Sequence, residues 1–142
     1  MNALSSKRAC FIKIQSMFQG LWDLRVDFTF NGADYYAVYS NFSIAGESEN
    51  YQLSIGEYRG TAGDDLRVHD NLAFSTFDRD NDPSTDKNCA SHYQGAWWFH
   101  NCVDVDLNGM WGKAPYASGV MWVSKTGHYN SASMTEMKTR RV

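Results

Sequence analysis

Between positions 23 and 30 apolar and polar residues strictly alternate. In "LWDLRVDFTFNG", Leu24, Val26, Phe28 and Phe30 interleave with Asp23, Arg25, Asp27 and Thr29. A period of two puts the two sets on opposite faces of an extended chain, which predicts a half-buried β-strand. Asn31-Gly32 closes the run, a dipeptide suited to the positive φ angles of a tight hairpin turn. "DYYAVYSNFSI" then reads as the partner strand, with Tyr36, Val38, Ser40 and Phe42 sharing one side. A third candidate, "NYQLSIGEY", alternates Tyr51, Leu53 and Ile55 with polar residues, so the three runs predict an antiparallel meander.

After Gly60 the alternation stops. Seven acids and two arginines lie between Asp64 and Asp86 without a sustained period. That predicts a loop-rich segment, and a loop of this length in a compact domain is usually functional or tied by a metal. A short helix is expected near "AGDDLRVHD", capped by Asp64 or Asp65. Trp97, Trp98 and Phe99 in "GAWWFHNC" read as core, with Gly95 allowing close packing beneath the loop. Val120 and Trp122 then suggest a strand, Lys125-Thr126-Gly127 a turn, and Met134 and Met137 a final strand. Together these elements give a β-rich α+β class.

Composition narrows the picture. A chain of 142 residues with 43% hydrophobic and 15% aromatic residues holds one domain with a modest core and is not disordered. It contains no apolar run of about 18 residues, so nothing predicts a membrane insertion. The net charge is -3 and no dense Lys/Arg cluster occurs along the sequence, which argues against nucleic acid as a partner. No GxSxG, HExxH, GxGxxG or phosphate-loop motif is present, and the four histidines do not assemble a triad, so no enzyme is expected.

Cys89 and Cys102 form a close pair in sequence, while Cys10 stands apart, and no CxxC spacing suggests zinc. Two readings of the pair stay open. A disulfide would close a loop worth about 3 kcal/mol and would imply an oxidising compartment; two reduced, buried cysteines are the other. The sequon Asn41-Phe42-Ser43 fits the first. The opening "MNALSSKRACFIKIQSMF" breaks its apolar residues with Lys13 and Gln15, a poor signal-peptide core, so the expected start lies upstream or the chain is a fragment. Asp78, Asp80 and Asp82 alternate as oxygen ligands do around Ca²⁺. An EF-hand beginning at Asp78 fails, however, because Pro83 falls where glycine is needed and Cys89 where a bidentate Glu is needed. A different calcium loop and a solvated acidic turn both remain.

In order, "LRVDF", "YAVYSNF", "YQLSIGEYRGTAGDDL", "FSTFDRDND", "NCA", "GAWWF", "DLNGMW", "YASGVMW" and "TEMK" resemble the fibrinogen-related domain. This is the globular C-terminal module of fibrinogen chains, ficolins, tachylectins, angiopoietins and tenascins. The resemblance runs from about Ile14 to Val142 and covers the later part of that domain, with residues 61–142 as its calcium- and ligand-binding part. Residues 1–13 match nothing, which leaves Cys10 without an inherited partner.

The resemblance implies an antiparallel central sheet with a loop-rich subdomain, a Cys89–Cys102 disulfide, and one Ca²⁺. The ion would be held by the carboxylates of Asp80 and Asp82 and the main-chain carbonyls of Ser84 and Asp86, with Asp78 in a supporting role. Two carboxylates make a weak site, in the range of about 10⁻⁴–10⁻³ M typical of extracellular modules. In lectin members an acetyl-binding pocket lies alongside; it maps to Tyr93, Tyr116, Ala117, His128 and a cis bond between Asn101 and Cys102. Val103 replaces the family's histidine, Lys125 a tryptophan, and His128 another aromatic. The implied protein is secreted, part of an oligomeric full-length parent, and a calcium-dependent lectin for acetylated (N-acetyl) sugars in innate recognition. The alternative is a protein-binding module of angiopoietin or matrix type that engages a cell-surface protein, which Val103 and Lys125 favour. Truncation adds a last expectation. Without the family's early strands, the meander from Leu24 to Phe42 would expose an apolar face and an unpaired edge, an aggregation hazard, so a non-functional truncated fragment is a further alternative.

Overall fold

The computed structural model describes residues 20–112 and 115–142; Cys10 and the boundary after residue 13 lie outside the described residues. The alternating run forms β1 (Trp22–Phe30) and its partner forms β2 (Ala33–Tyr39). Asn31 and Gly32 turn the chain with φ of 50° and 76°. A two-residue turn fixes the register, pairing Phe30 with Ala33, and hence Phe28 with Tyr35, Val26 with Ala37 and Leu24 with Tyr39. The core face of β2 is therefore Tyr35, Ala37 and Tyr39, while Tyr36 and Val38 share the outer face with Asp27 and Arg25. Phe42 does not belong to that outer set. β2 ends at Tyr39, and Asn41, at a φ of 50°, swings the chain so that Phe42 enters the core.

The meander is interrupted after β2. β3 (Ser43–Ile44) and β4 (Leu53–Ser54) pair with each other in a separate short ladder, and β5 (Tyr58–Gly60) returns to the outer side of β2. β8 (Met134–Arg141) lies against the other side of β1, which gives a four-stranded antiparallel sheet in the order β5-β2-β1-β8. β6 (Val105–Asp106) and β7 (Met121–Trp122) make a third ladder, and a single turn of helix, α2 (Val123–Thr126), follows it. Among the described residues no helix is long and apolar enough to cross a membrane.

The loop-rich half covers the inner face of the sheet. Leu24, Val26 and Phe28 are all buried, and the Phe28 ring stacks on Trp122 with centroids 5.5 Å apart. The expected exposed apolar face is thus absent, because residues supplied by β7 and the Trp97–Phe99 segment fill its place, and β1 has a neighbour on each side. Trp97, Trp98 and Phe99 are core residues, as their pattern suggests. Buried indoles need partners for their N–H groups. Trp98 Nε1 donates to the carbonyl of Tyr51 at 2.8 Å, and Trp122 Nε1 to that of Gly63 at 3.1 Å. Each large side chain taken from water contributes about 1.5–3 kcal/mol, so these rings anchor the loops to the sheet.

Asp65–His69 forms a single 3-10 turn, although neither acid caps it by a side-chain bond. The acids are occupied elsewhere: Asp64 pairs with Arg67 at 3.2 Å, and Asp65 accepts the Ser124 N–H at 2.6 Å. His69, fully buried at the end of this turn, holds the two halves of the molecule together. Its Nδ1 contacts the Trp98 carbonyl at 2.7 Å, and its Nε2 accepts from the backbone N–H groups of Val105 at 3.0 Å and Asp104 at 3.3 Å. That arrangement requires the neutral ring with its proton on Nδ1.

Candidate functional site: an acidic loop tied to a recess

The acidic segment is a braced loop. Asn81 donates its side-chain N–H to the Phe74 carbonyl at 2.8 Å and its backbone N–H to the Ser75 hydroxyl at 2.9 Å, pinning the centre of the cluster. Asp78 accepts from the Thr76 hydroxyl at 2.6 Å, a structural task consistent with a supporting role. Asp82 lies at the crossing point: one carboxylate oxygen accepts from the Ser84 N–H and the other from the Cys89 N–H, both at 2.9 Å. Asp80 accepts from the Asp82 N–H at 3.2 Å, which brings the two carboxylates side by side. Burial pushes the Asp82 carboxyl above the usual carboxylate range, and the neighbouring Asp80 pushes it further, against the pull of the two N–H donors. Asp86 lies at the exposed end of the loop, 3.3 Å from the Thr85 hydroxyl, and the Ser84 hydroxyl is buried with no partner.

These residues suit a hard cation. Two crowded carboxylates and an unpartnered buried hydroxyl form an oxygen-rich site whose charges repel until something neutralises them. Among the described residues no group of three or more His, Cys, Asp or Glu side chains is placed to hold a metal, so an ion here would need main-chain carbonyls or water besides the two aspartates.

Immediately after the loop comes α1 (Cys89–Tyr93). Asn88 starts it by accepting the Ser91 N–H at 2.9 Å, while its side-chain N–H reaches the Phe77 carbonyl at 3.3 Å; Gln94, at a φ of 59°, ends it. Cys89, the first residue of α1, forms the disulfide with Cys102, and the Asn101–Cys102 bond is cis. A mechanical linkage results: Asp82 holds the Cys89 N–H, Cys89 holds Cys102, and Cys102 lines a recess.

That recess, of about 170 Å³, is where the sequence-derived ligand residues meet. Tyr93, Asn101, Cys102, Tyr116, Ala117 and His128 all line it. Tyr93 comes from the end of α1. Tyr116 and His128 stack with centroids 5.1 Å apart, and Ala117, at a φ of 55°, donates its N–H to the His128 carbonyl at 2.7 Å. Tyr93 and Tyr116 face each other at 6.5 Å, and Tyr129 packs edge-on to Tyr116 at 5.1 Å on the exposed rim. Lys125 is not part of the recess; its ammonium sits over the Tyr35 ring at 5.0 Å.

Two lining residues carried no signal in the sequence, His100 and Asp104. Their side chains approach to 3.9 Å, and burial lowers the His100 ring below the usual histidine value, with Asp104 pulling it back. Nothing about their spacing marks them, because only the turn between Phe99 and Val105 brings them to the same wall. Val103, an apolar residue, lines the recess too.

Comparison with known proteins identifies the family and the fold. The C-terminal globular domain of fibrinogen beta and gamma chains matches residues 12–142, two residues more than the motifs suggest. Tenascin-R of Gallus gallus is 43% identical over 122 residues, which is 86% of this chain and 9% of that protein. Tenascin of Gallus gallus is 44% identical over 122 residues, 86% of this chain and 7% of that protein. The fibrinogen-like globe domain of human ANGPTL2 superposes with a TM-score of 0.87 at 35% identity, covering 92% of this chain and 63% of that one. Lamprey fibrin D-dimer, in complex with the peptide Gly-His-Arg-Pro-amide, gives a TM-score of 0.81 at 30% identity, covering 92% and 49% respectively. The chain therefore spans a small part of the tenascins' length and under two thirds of these solved domains.

Proposed function

Because this protein belongs to the family defined by the C-terminal globular domain of fibrinogen beta and gamma chains, we propose that it is an extracellular, non-catalytic protein-binding module. Its recess engages a short segment of a partner protein, as a receptor- or matrix-binding domain does. The observation that carries this reading is the convergence of Tyr93, Tyr116 and His128 with the Asn101–Cys102 turn on one concave surface. Rigid rings around a small recess are how a protein surface grips a partner's side chain at low entropic cost. The relatives support the same class: tenascins, angiopoietin-like globe domains, and a fibrin domain crystallised with a peptide.

Calcium has a defined part in the proposal. Asp80 and Asp82 would hold the ion, with the backbone near Ser84 and Asp86 completing an oxygen shell. The ion would neutralise the carboxylate pair and stiffen the loop that holds the Cys89 N–H. Asp82, Cys89 and Cys102 then carry that stiffness to the recess wall. The binding surface is thereby organised without the ion touching the partner.

Recognition of acetylated sugars is the second reading. It is favoured by the two tyrosine rings and the cis bond beside them, and opposed by Val103 where a polar contact would help. Peptide display against the folded protein in millimolar calcium separates the two. We expect selected peptides whose binding falls about tenfold or more with Tyr116→Ala, is lost in EDTA, and is untouched by N-acetylglucosamine. Competition by the sugar, together with calcium-dependent hits on a glycan array, would instead establish the lectin. Peptides that bind Tyr116→Ala equally well, with an empty glycan array, would overturn both.

A further inference from the structure

We propose that the free edge of β8 pairs with the same edge of a second copy of this chain, joining two four-stranded sheets across a two-fold axis. Among the described residues β8 is the last strand of its sheet. It is eight residues long, and its ladder with β1 runs without a bulge from Met134 to Arg141. A long, regular edge of this kind is a template for further strand pairing unless something blunts it. The core also stops short here. Val26 on β1 is fully buried, whereas Met137, opposite it on the same face of β8, is 41% exposed.

The backbone decides which registers can form. Val142 donates its N–H to the Leu21 carbonyl at 2.9 Å. Bonding residues alternate along an antiparallel ladder, so Glu136, Lys138 and Arg140 also direct their N–H and C=O groups at β1. Thr135, Met137, Thr139 and Arg141 direct theirs outward. Symmetric pairing must set outward residues opposite outward residues. Centred on Met137, it opposes Met137 to Met137 and Thr135 to Thr139, and on the outer face Glu136 to Lys138. Each Met137 then covers the other, and the core continues across the axis.

Charge selects this register and a second copy as the occupant. Lys138 already holds Glu136 of its own strand at 3.0 Å, so two lysines and two glutamates alternate in sign around the axis. Moving the axis to Lys138 opposes lysine to lysine, and moving it to Thr139 opposes Lys138 to Arg140. Moving it to Glu136 opposes glutamate to glutamate. Like charges directly opposite destabilise a strand pair. The assembly also closes on itself. Each copy has one β8 edge, and the other edge of the sheet, β5, has only three residues, too few to propagate a row of copies. The product is a dimer that presents two recesses, whatever they bind.

Sedimentation velocity and native mass spectrometry test the proposal on the folded full chain, carrying Cys10→Ser to exclude a link through that thiol. A concentration series should pass from monomer to dimer and stop there. Glu136→Lys and Lys138→Glu should each weaken the dimer about tenfold or more. Mixing these two variants should restore it as a heterodimer, a gain that misfolding cannot imitate. Glu49→Lys, an exposed charge reversal outside the sheet, should leave association unchanged. A monomer at every concentration overturns the proposal, as does a mixture without heterodimer or an equal loss with Glu49→Lys. Slow amide exchange at Thr135, Met137 and Thr139 in a monomer would assign the edge to another part of the same chain and overturn it too. Growth beyond the dimer would overturn the closed pairing.

Discussion

A histidine whose two ring nitrogens are both engaged has nowhere to put a second proton. Burial lowers the pKa of His69 to about 3, with the Trp98 carbonyl opposing that shift and His100 adding to it. The unfolded protein, in contrast, takes up this proton near pH 6.5. Below that pH the unfolded state binds more protons than the folded one, so stability falls as pH drops from about 6.5 towards about 3. Urea unfolding across this range should show the decline. His69→Leu should be less stable at neutral pH by about 2 kcal/mol or more, since it strands the N–H groups of Asp104 and Val105, and its stability should vary less with pH. Gly95 is constrained by space instead of charge. A methyl group there would overlap the Asp106 carboxylate and press on the Phe99 ring, so Gly95→Ala should cost about 1–3 kcal/mol in thermal or chemical unfolding. The sequence marks Gly95 because a glycine stands beside a tryptophan pair. It does not mark His69, whose partners lie about thirty residues away along the sequence.

At the scale of elements, local rules account for the hairpin and for α1. Alternation and Asn31-Gly32 suffice to place β1 and β2, because a two-residue turn leaves one register open. Gly32, at a φ of 76° with open space around it, tests backbone strain alone: Gly32→Ala should lower stability by about 1 kcal/mol. The choice of inner face on β2 was not legible, since Tyr35, Tyr36, Val38 and Tyr39 make both faces look apolar and only the register decides. The runs around Leu53 and Trp122 did suggest strands, but the separate pairings of β3 with β4 and of β6 with β7 escaped, because two-residue ladders are too short to leave a period that fixes a partner. Asn88 links elements. Asn88→Ala removes the α1 cap and the tie to Phe77, so it should cost about 1 kcal/mol and weaken partner binding at the recess as well, measurable by comparing melting with peptide affinity.

For the molecule as a whole, the acidic loop, the disulfide and the recess should respond together. The raised Asp82 pKa means that its charged form is penalised in the folded state without a cation, and the penalty is relieved as pH falls through the folded value. Calcium and protons therefore compete for the same relief. The rise in melting temperature produced by millimolar calcium over EDTA should be clear near neutral pH and should shrink as falling pH protonates Asp82. An equal melting temperature in calcium and EDTA at neutral pH would dismiss the ion. The motif order announced the loop, the disulfide and the recess-lining residues, because their chemistry is concentrated between residues 74 and 128. The free edge of β8 went unseen for the opposite reason: it depends on strand order, and only pairing with the distant β1 decides which of its backbone groups face outward.

The order of strands in the sheet also dictates when the sheet can close. β1 begins at Trp22, yet its second neighbour, β8, ends at Arg141, so β1 waits for a partner strand whose Arg140 lies 117 residues beyond Asp23 before that side is paired. Loop closure over such a distance is slow, and until it happens the nascent hairpin carries an open flank at which molecules can join edge to edge. A premature stop before Met134 would make that interval permanent, and such a product is expected to aggregate rather than to fold with reduced stability.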